Sequence, residues 1–248
     1  MADHVTWIGH ATVLIELGGV RLLTDPLLRG RLGHLRRHGP PPSPDALRDL
    51  DAILISHLHL DHLDVPSLRQ LARTTPLVVP RGAGGFLRRQ GFPHAQELAA
   101  GGSAEVGGLR VTAVDAVHER RRRPGGAEAD TLGYVAGDRV YFAGDTDLFD
   151  GMTELQGLEL ALIPVWGWGP TLGGGHLDPP AAARATALLR PRIAVPIHWG
   201  TFYPRGLARY KADRLTDPPH EFAAAVARLA PDVDVRVLDP GQTLSLAG

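Results

Sequence analysis

Cysteine is absent from this 248-residue chain, and its absence excludes disulfides, thiolate nucleophiles and sulfur-ligated metal sites. Any metal must then be held through nitrogen and oxygen. An excess of charge of either sign is missing too. The 26 Lys and Arg against 27 Asp and Glu leave a formal net charge of -1, so no nucleic-acid partner is expected of a surface that could not release many counterions. No window comes near the ~20 apolar residues of a membrane span, and "MADHVTWIGH" lacks the basic start and apolar stretch of a secretory signal. A cytoplasmic protein is the expectation. Lysine is nearly absent as well, Lys211 standing alone, which with abundant Ala, Gly and Pro reads as coding bias.

What is present is ordinary globular material. An apolar fraction of 44% beside 21% charged residues predicts a sizeable buried core. β-type runs open the chain at 4–8, 11–17 and 20–24, with Gly18-Gly19 as a hairpin signal. A Pro- and Gly-rich stretch from Arg29 to Pro44 reads as a loop, and "DAILIS" (51–56) as a strand covered on both faces. "PSLRQLAR" and "GGFLRRQ" read as helices on either side of the strand "PLVVP". A second β-rich block follows at 109–117, 131–137 and 139–144, its last pair joined through Gly137-Asp138. Then come 158–165, a helix at 179–190, the strand 193–197 and a closing helix-strand pair. Strand blocks followed by helices in both halves predict two packed sheets with helices outside, an α/β fold of αβ/βα sandwich type.

The chemistry concentrates in "ILISHLHLDHLD" (53–64). In an extended chain alternate side chains share a face, so His57, His59 and Asp61 converge beyond the strand. His62 points elsewhere unless the backbone turns. Two metals accommodate the set: His57 and His59 serving one, Asp61 and His62 the other after a turn. Imidazole and carboxylate are the ligands zinc takes at about 2.0–2.2 Å, and iron and manganese sites are similar. Further ligands are expected at strand ends, where α/β folds build their sites. His118 ends "VTAVDAVH", Asp145 ends "RVYFAGD" and His198 ends "IAVPIH".

HxHxDH followed by a His, a Gly-Asp and a final His resembles the metallo-β-lactamase superfamily over nearly the whole chain. "VTWIGHATVLIE", "LLTDPLL", "AILISHLHLDHLD", "FAGDT", "GHLDPPAA" and "PIHWGTF" are similar to the bacterial relatives of N-acylphosphatidylethanolamine-hydrolysing phospholipase D. The resemblance implies a four-layered αβ/βα sandwich as one domain over residues 1–248. It also implies two divalent ions, zinc first with manganese or iron as alternatives. His57, His59 and His118 would hold one, Asp61, His62 and His198 the other, with Asp145 bridging. His176 matches an additional active-site histidine of that group, whereas "HERRRRPGGAEAD" (118–130) does not match the group's usual text.

Five neutral imidazoles and two carboxylates sum to -2, and two divalent ions add +4, so the centre stays positive even with a bridging hydroxide. That suits a small-molecule or lipid-like anionic substrate. The expected function is hydrolysis of a phosphodiester or related ester by the metal-bridging hydroxide, with Asp61 orienting it and His176 hydrogen-bonding the substrate or leaving group. Arg120 to Arg123 read first as a solvated charge run, and Arg121 and Arg122 are the members placed to steer an anion. Trp166, Trp168 and Trp199 are candidates for an apolar wall, which core packing explains almost as well. His10 reads as structural, and His34 and His38 as loop residues. A lactonase or other ester or amide hydrolase is the alternative within the fold. An iron-based reductase would carry Glu where His59 stands, beside a flavin domain for which no length is left. A non-catalytic metal-binding or sensor protein is the rival of another class.

Overall fold

The computed structural model describes residues 2–166, 174–207 and 212–246. Strands β1 (His4–Gly9), β2 (Thr12–Leu17) and β3 (Val20–Thr24) form an antiparallel meander. Its second turn is the expected one, with Gly18 and Gly19 both at positive φ, as a tight two-residue hairpin requires. The stretch read as a loop from Arg29 contains a small hairpin, β4 (Arg31–Leu32) and β5 (Leu35–Arg37). Its partner lies far along the chain, which is why local pattern does not reveal it.

β6 (Ala52–Leu54), β7 (Leu77–Pro80) and β8 (Ala95–Leu98) then add to β3 in parallel. β6 and β7 are buried throughout, as their unbroken apolar runs demand. Helices α1 (Val65–Leu68) and α2 (Gly84–Arg89) lie between them in sequence. α1 is a single turn where a helix over 66–73 was expected. Leu68 and Leu71 are both buried, their spacing being met by turns instead of a continued helix.

The second sheet begins with β9 (Ser103–Val106), β10 (Leu109–Asp115), β11 (Leu132–Ala136) and β12 (Val140–Phe142), all antiparallel. β13 (Leu160–Pro164), β14 (Ile193–Ile197) and β16 (Asp234–Val235) extend it in parallel. Helices α3 (Pro179–Leu189) and α4 (Asp213–Leu229) cover it. α3 starts where Asp178 accepts from Ala181 N at 2.8 Å, just ahead of Pro179, a cap and first-turn proline in their favoured places. β15 (Phe202–Pro204) pairs with β5, and β17 (Thr243–Ser245) returns to the first sheet beside β1.

Among the described residues each large sheet has seven strands. One apolar cluster runs from Trp7, Ile15 and Leu22 through Tyr134 and Leu162 to Leu189 and Phe222 under α3 and α4. A second cluster packs Leu14, Ile53 and Val79 against Leu68 and Leu87 of α1 and α2. The layers are therefore helix, sheet, sheet, helix: the expected αβ/βα sandwich. Among the described residues no helix is long and apolar enough to cross a membrane.

Candidate metal centre

Four chain segments meet at one edge of the sandwich. The extension of β6 carries His57 and His59, and the loops after β10, β12 and β14 carry His118, Asp145 and His198. After His59 the backbone turns, His62 N and Leu63 N both bonding to His59 O at 3.1 and 2.8 Å. That turn is what redirects His62 to the site. Asp145 arrives by a close approach: Gly144 has φ +62, and a Cβ there would stand 2.6 Å from Ser56 Cβ, so only glycine lets this loop close on β6.

Two interlocking groups of ligand atoms result. His57 Nε2 and His118 Nε2 each lie 3.0 Å from His59 Nδ1. His62 Nε2 lies 3.2 Å from His198 Nε2 and 3.3 Å from Asp61 Oδ2. Asp145 stands between the groups, Oδ1 3.3 Å from His198 Nε2 and Oδ2 3.3 Å from His62 Nε2 and 4.0 Å from His118 Nε2. Its Oδ1 is buried without a hydrogen bond among the described residues, a costly orphan unless a cation faces it.

The outward nitrogens decide the tautomers. His118 Nδ1 donates to Gly175 O, and His198 Nδ1 to Trp166 O, each at 2.5 Å. A carbonyl only accepts, so in the neutral form of both rings Nε2 keeps its lone pair. His62 Nδ1 donates to Asp25 Oδ2 at 2.7 Å. Ser56 Oγ gives its proton to Asp25 Oδ2 at 2.5 Å and so accepts from His57 Nδ1 at 3.0 Å. In their neutral forms four imidazoles thus present Nε2 lone pairs inward, each steadied from behind as metal-ligating histidines are. Lone pairs facing one another near 3 Å fit a shared cation, so the donor set suits divalent ions such as zinc.

Charge divides the two groups. Burial holds His57 well below the ordinary imidazole range and pushes His118 down to about 4. Burial works against charge on His62 too, but the Asp145 and Asp61 carboxylates outweigh it and hold His62 well above that range. Asp61 and Asp145 are held well below the carboxylate range against their burial, chiefly by His62 and His198 respectively.

The structure brings all seven predicted ligands together, with His176 beside them: its Nε2 is 3.7 Å from Asp145 Oδ2 and its ring meets His118 edge-on at 4.6 Å. The arginine run behaves unevenly. Arg120 pairs with Asp130, and Arg121 with Glu128 at 3.2 Å. Arg122 is not simply solvated: its Nη1 donates to Leu58 O and Leu63 O at 2.6 and 2.9 Å, and its guanidinium lies 4.6 Å over Phe86. Arg121, Arg122 and Arg123 nevertheless line a hollow of about 430 Å³ beside His59. Trp166 is 6% exposed and packed in the core near Tyr203, so it offers a substrate little wall, and its carbonyl is what serves the site. Trp199 stacks on Trp7 at 4.9 Å. Trp168 lies outside the described residues. His34 is exposed and His38 half-buried on the β4–β5 side.

Two residues at the site received no functional role from sequence. Asp25 is fully buried and accepts from Ser56 N at 2.7 Å as well as from Ser56 Oγ and His62; its signal was the "LLTDPLL" text. His10, read as structural, is buried with Nε2 3.0 Å from Asp61 Oδ2. His10, Asp25 and His198 all have positive φ, at 56°, 32° and 64°, a backbone cost of the kind that clusters at functional sites.

Comparison with known proteins supplies a family. A model described as the beta-lactamase superfamily domain matches residues 20–199. A UPF0173 metal-dependent hydrolase of Methanopyrus kandleri is 35% identical over 249 residues, covering 96% of this chain and 98% of its own. The N-acyl-phosphatidylethanolamine-hydrolyzing phospholipase D 1 of Caenorhabditis elegans is 33% identical over 236 residues, 83% of this chain and 65% of that one. Among solved structures, a metallo hydrolase from Ignicoccus hospitalis superposes with a TM-score of 0.75 at 24% identity, covering 100% of both chains.

Proposed function

This chain belongs to the metallo-β-lactamase superfamily as one of its metal-dependent hydrolases, and from that premise we propose a dinuclear enzyme that cleaves a phosphodiester or related ester. The observation that carries the dinuclear reading is the pair of ligand groups joined by Asp145, with nitrogen and oxygen contacts of 3.0–3.6 Å within each. His57, His59 and His118 would hold one ion, Asp61, His62 and His198 the other, and Asp145 both. Bound there, two divalent ions, zinc first, would lower the pKa of water toward about 7 and polarise the scissile bond.

The chain's own residues supply the rest. Asp61 sits partly open at the edge of the second group, placed to orient the attacking water. His176, 32% exposed in its side chain, is the histidine that reaches toward substrate and donates to the leaving group. Arg121 and Arg122 line the hollow beside His59, where the charged end of a small or lipid-like anion would rest, although Arg122 Nη1 is already engaged by two carbonyls. The phospholipase D relative supports a phosphorus ester over a lactone.

The test is metal stoichiometry of the reconstituted protein alongside turnover of bis(p-nitrophenyl) phosphate and simple lactones. Two ions per chain with metal-dependent phosphodiester cleavage is the expected result. Lactone turnover with inert phosphodiesters would replace the substrate reading, and no turnover of any ester would favour a non-catalytic role.

A further inference from the structure

We propose that His10 is a positioning residue that holds Asp61 for the second ion, an inference that rests on the dinuclear reading above. Four ligands have a visible tether: His57 to Ser56, His62 to Asp25, His118 to Gly175 and His198 to Trp166. Asp61 needs one most, because it rides at the tip of the HLHLDH turn next to Leu60, which is 49% exposed. His10 supplies it. Its Nε2 is 3.0 Å from Asp61 Oδ2, the same oxygen that lies 3.3 Å from His62 Nε2 and 3.6 Å from His198 Nε2. An ionised carboxylate only accepts, so His10 donates.

The ring spacing argues against His10 as a ligand itself. Histidines assigned to one ion have centroids 4.6–5.2 Å apart, as between His57, His59 and His118 and between His62 and His198. His57 and His62, assigned to different ions, are 4.1 Å apart. His10 and His198 are closer still, at 3.9 Å with their planes 38° apart. His10 and His62 are 5.5 Å apart, so neither spacing of His10 falls among those of the pairs assigned to one ion.

The backbone of His10 is fixed to match. Its carbonyl accepts from Trp7 Nε1 at 2.9 Å and from His198 N at 3.0 Å, and its N–H donates to Thr201 Oγ1 at 2.8 Å. The bond from His198 N joins the tether of Asp61 directly to the backbone of the second ion's other histidine. Phe202 closes the far side, edge-on at 5.9 Å. An imidazole in this buried slot supplies a hydrogen bond that no apolar side chain of similar volume could.

The experiment is zinc titration of the metal-free protein against a competing chelator, which resolves the two ions, on wild type, His10→Leu and His10→Gln. His10→Leu should weaken the second ion by about 10- to 100-fold, the usual cost of losing such a partner, and leave the first unchanged. His10→Gln, which keeps an N–H donor at similar reach, should recover most of the loss. Unchanged binding of both ions by His10→Leu overturns the proposal. So does a His10→Gln protein that loses the second ion as completely, because His10 would then be a ligand. Should the circular-dichroism melt show that His10→Leu does not fold, His10→Asn replaces it with the same expectations, its amide tolerating the left-handed backbone and falling short of Asp61. A wild type that takes only one ion sinks the dinuclear reading itself, and the His10 proposal with it.

Discussion

At the scale of single residues, the site separates histidines held neutral from a pair, His62 and His198, that hold their protons more firmly. Burial keeps His57 and His118 deprotonated near pH 7, His118 down to about 4. His62 is raised well above the usual range by Asp145 and Asp61, so without metal it is charged at neutral pH. A ligand must lose its proton before it binds. On the dinuclear reading, uptake of the first ion should therefore release almost no protons and uptake of the second measurably more, from His62 and from His198, which Asp145 also raises against its burial. Calorimetric titration at pH 7 in buffers of different ionisation enthalpy measures this, and equal release at both steps would contradict the assignment of His62 to the second ion. The same contrast explains Asp25. A buried carboxylate that accepts from His62 Nδ1 and from Ser56 also fixes which nitrogen of His62 would face a metal.

At the scale of elements, the loop after β6 is held from outside itself. Arg122 reaches from the segment after His118 to the carbonyls of Leu58 and Leu63, on either side of His59, Asp61 and His62. This turns one member of a charge run into a clamp for the ligand loop. Arg122→Ala should cost about 1–3 kcal/mol of stability, in the range of lost charge-assisted hydrogen bonds, and should lower metal retention. Arg121→Ala, whose partner is Glu128 at the surface, should leave stability within about 0.5 kcal/mol. Urea unfolding midpoints compare the two. If Arg122→Ala instead raised only KM for anionic substrates with stability intact, the clamp would be excluded and the steering role expected from sequence would stand.

At the scale of the whole molecule, neither sheet owns the site. The first contributes His57, His59, Asp61 and His62, the second His118, Asp145 and His198, and one apolar cluster joins the inner faces of both. β17 adds a further tie, returning the end of the described chain to the edge of β1. We propose on this ground that the chain unfolds as one domain. A single cooperative melting transition is expected, rising in Tm with added zinc because the ions bind only the folded state. Two separate transitions, of which only one responded to zinc, would show that the sheets are independent units.

Much of this architecture was legible residue by residue. The alternation of His57, His59 and Asp61 is a property of extended chain, the apolar runs of β6, β13 and β14 mark strands buried on both faces, and the Gly18-Gly19 and Gly137-Asp138 turns are local backbone chemistry. The β4–β5–β15 sheet and the edge strands β8 and β9 were not legible, because their short, polar or distant pairings leave no period to read. The amino-acid sequence alone determined the kinds of candidate ligand, their order and their places at strand ends, since each depends on a few neighbouring residues. Only the tertiary structure decided that His10 meets Asp61 across 51 positions, Asp25 meets His62 across 37 and Arg122 meets Leu58 across 64. The physical reason is that a hydrogen bond has a direction and a length near 3 Å, and packing of two sheets, not sequence spacing, sets both.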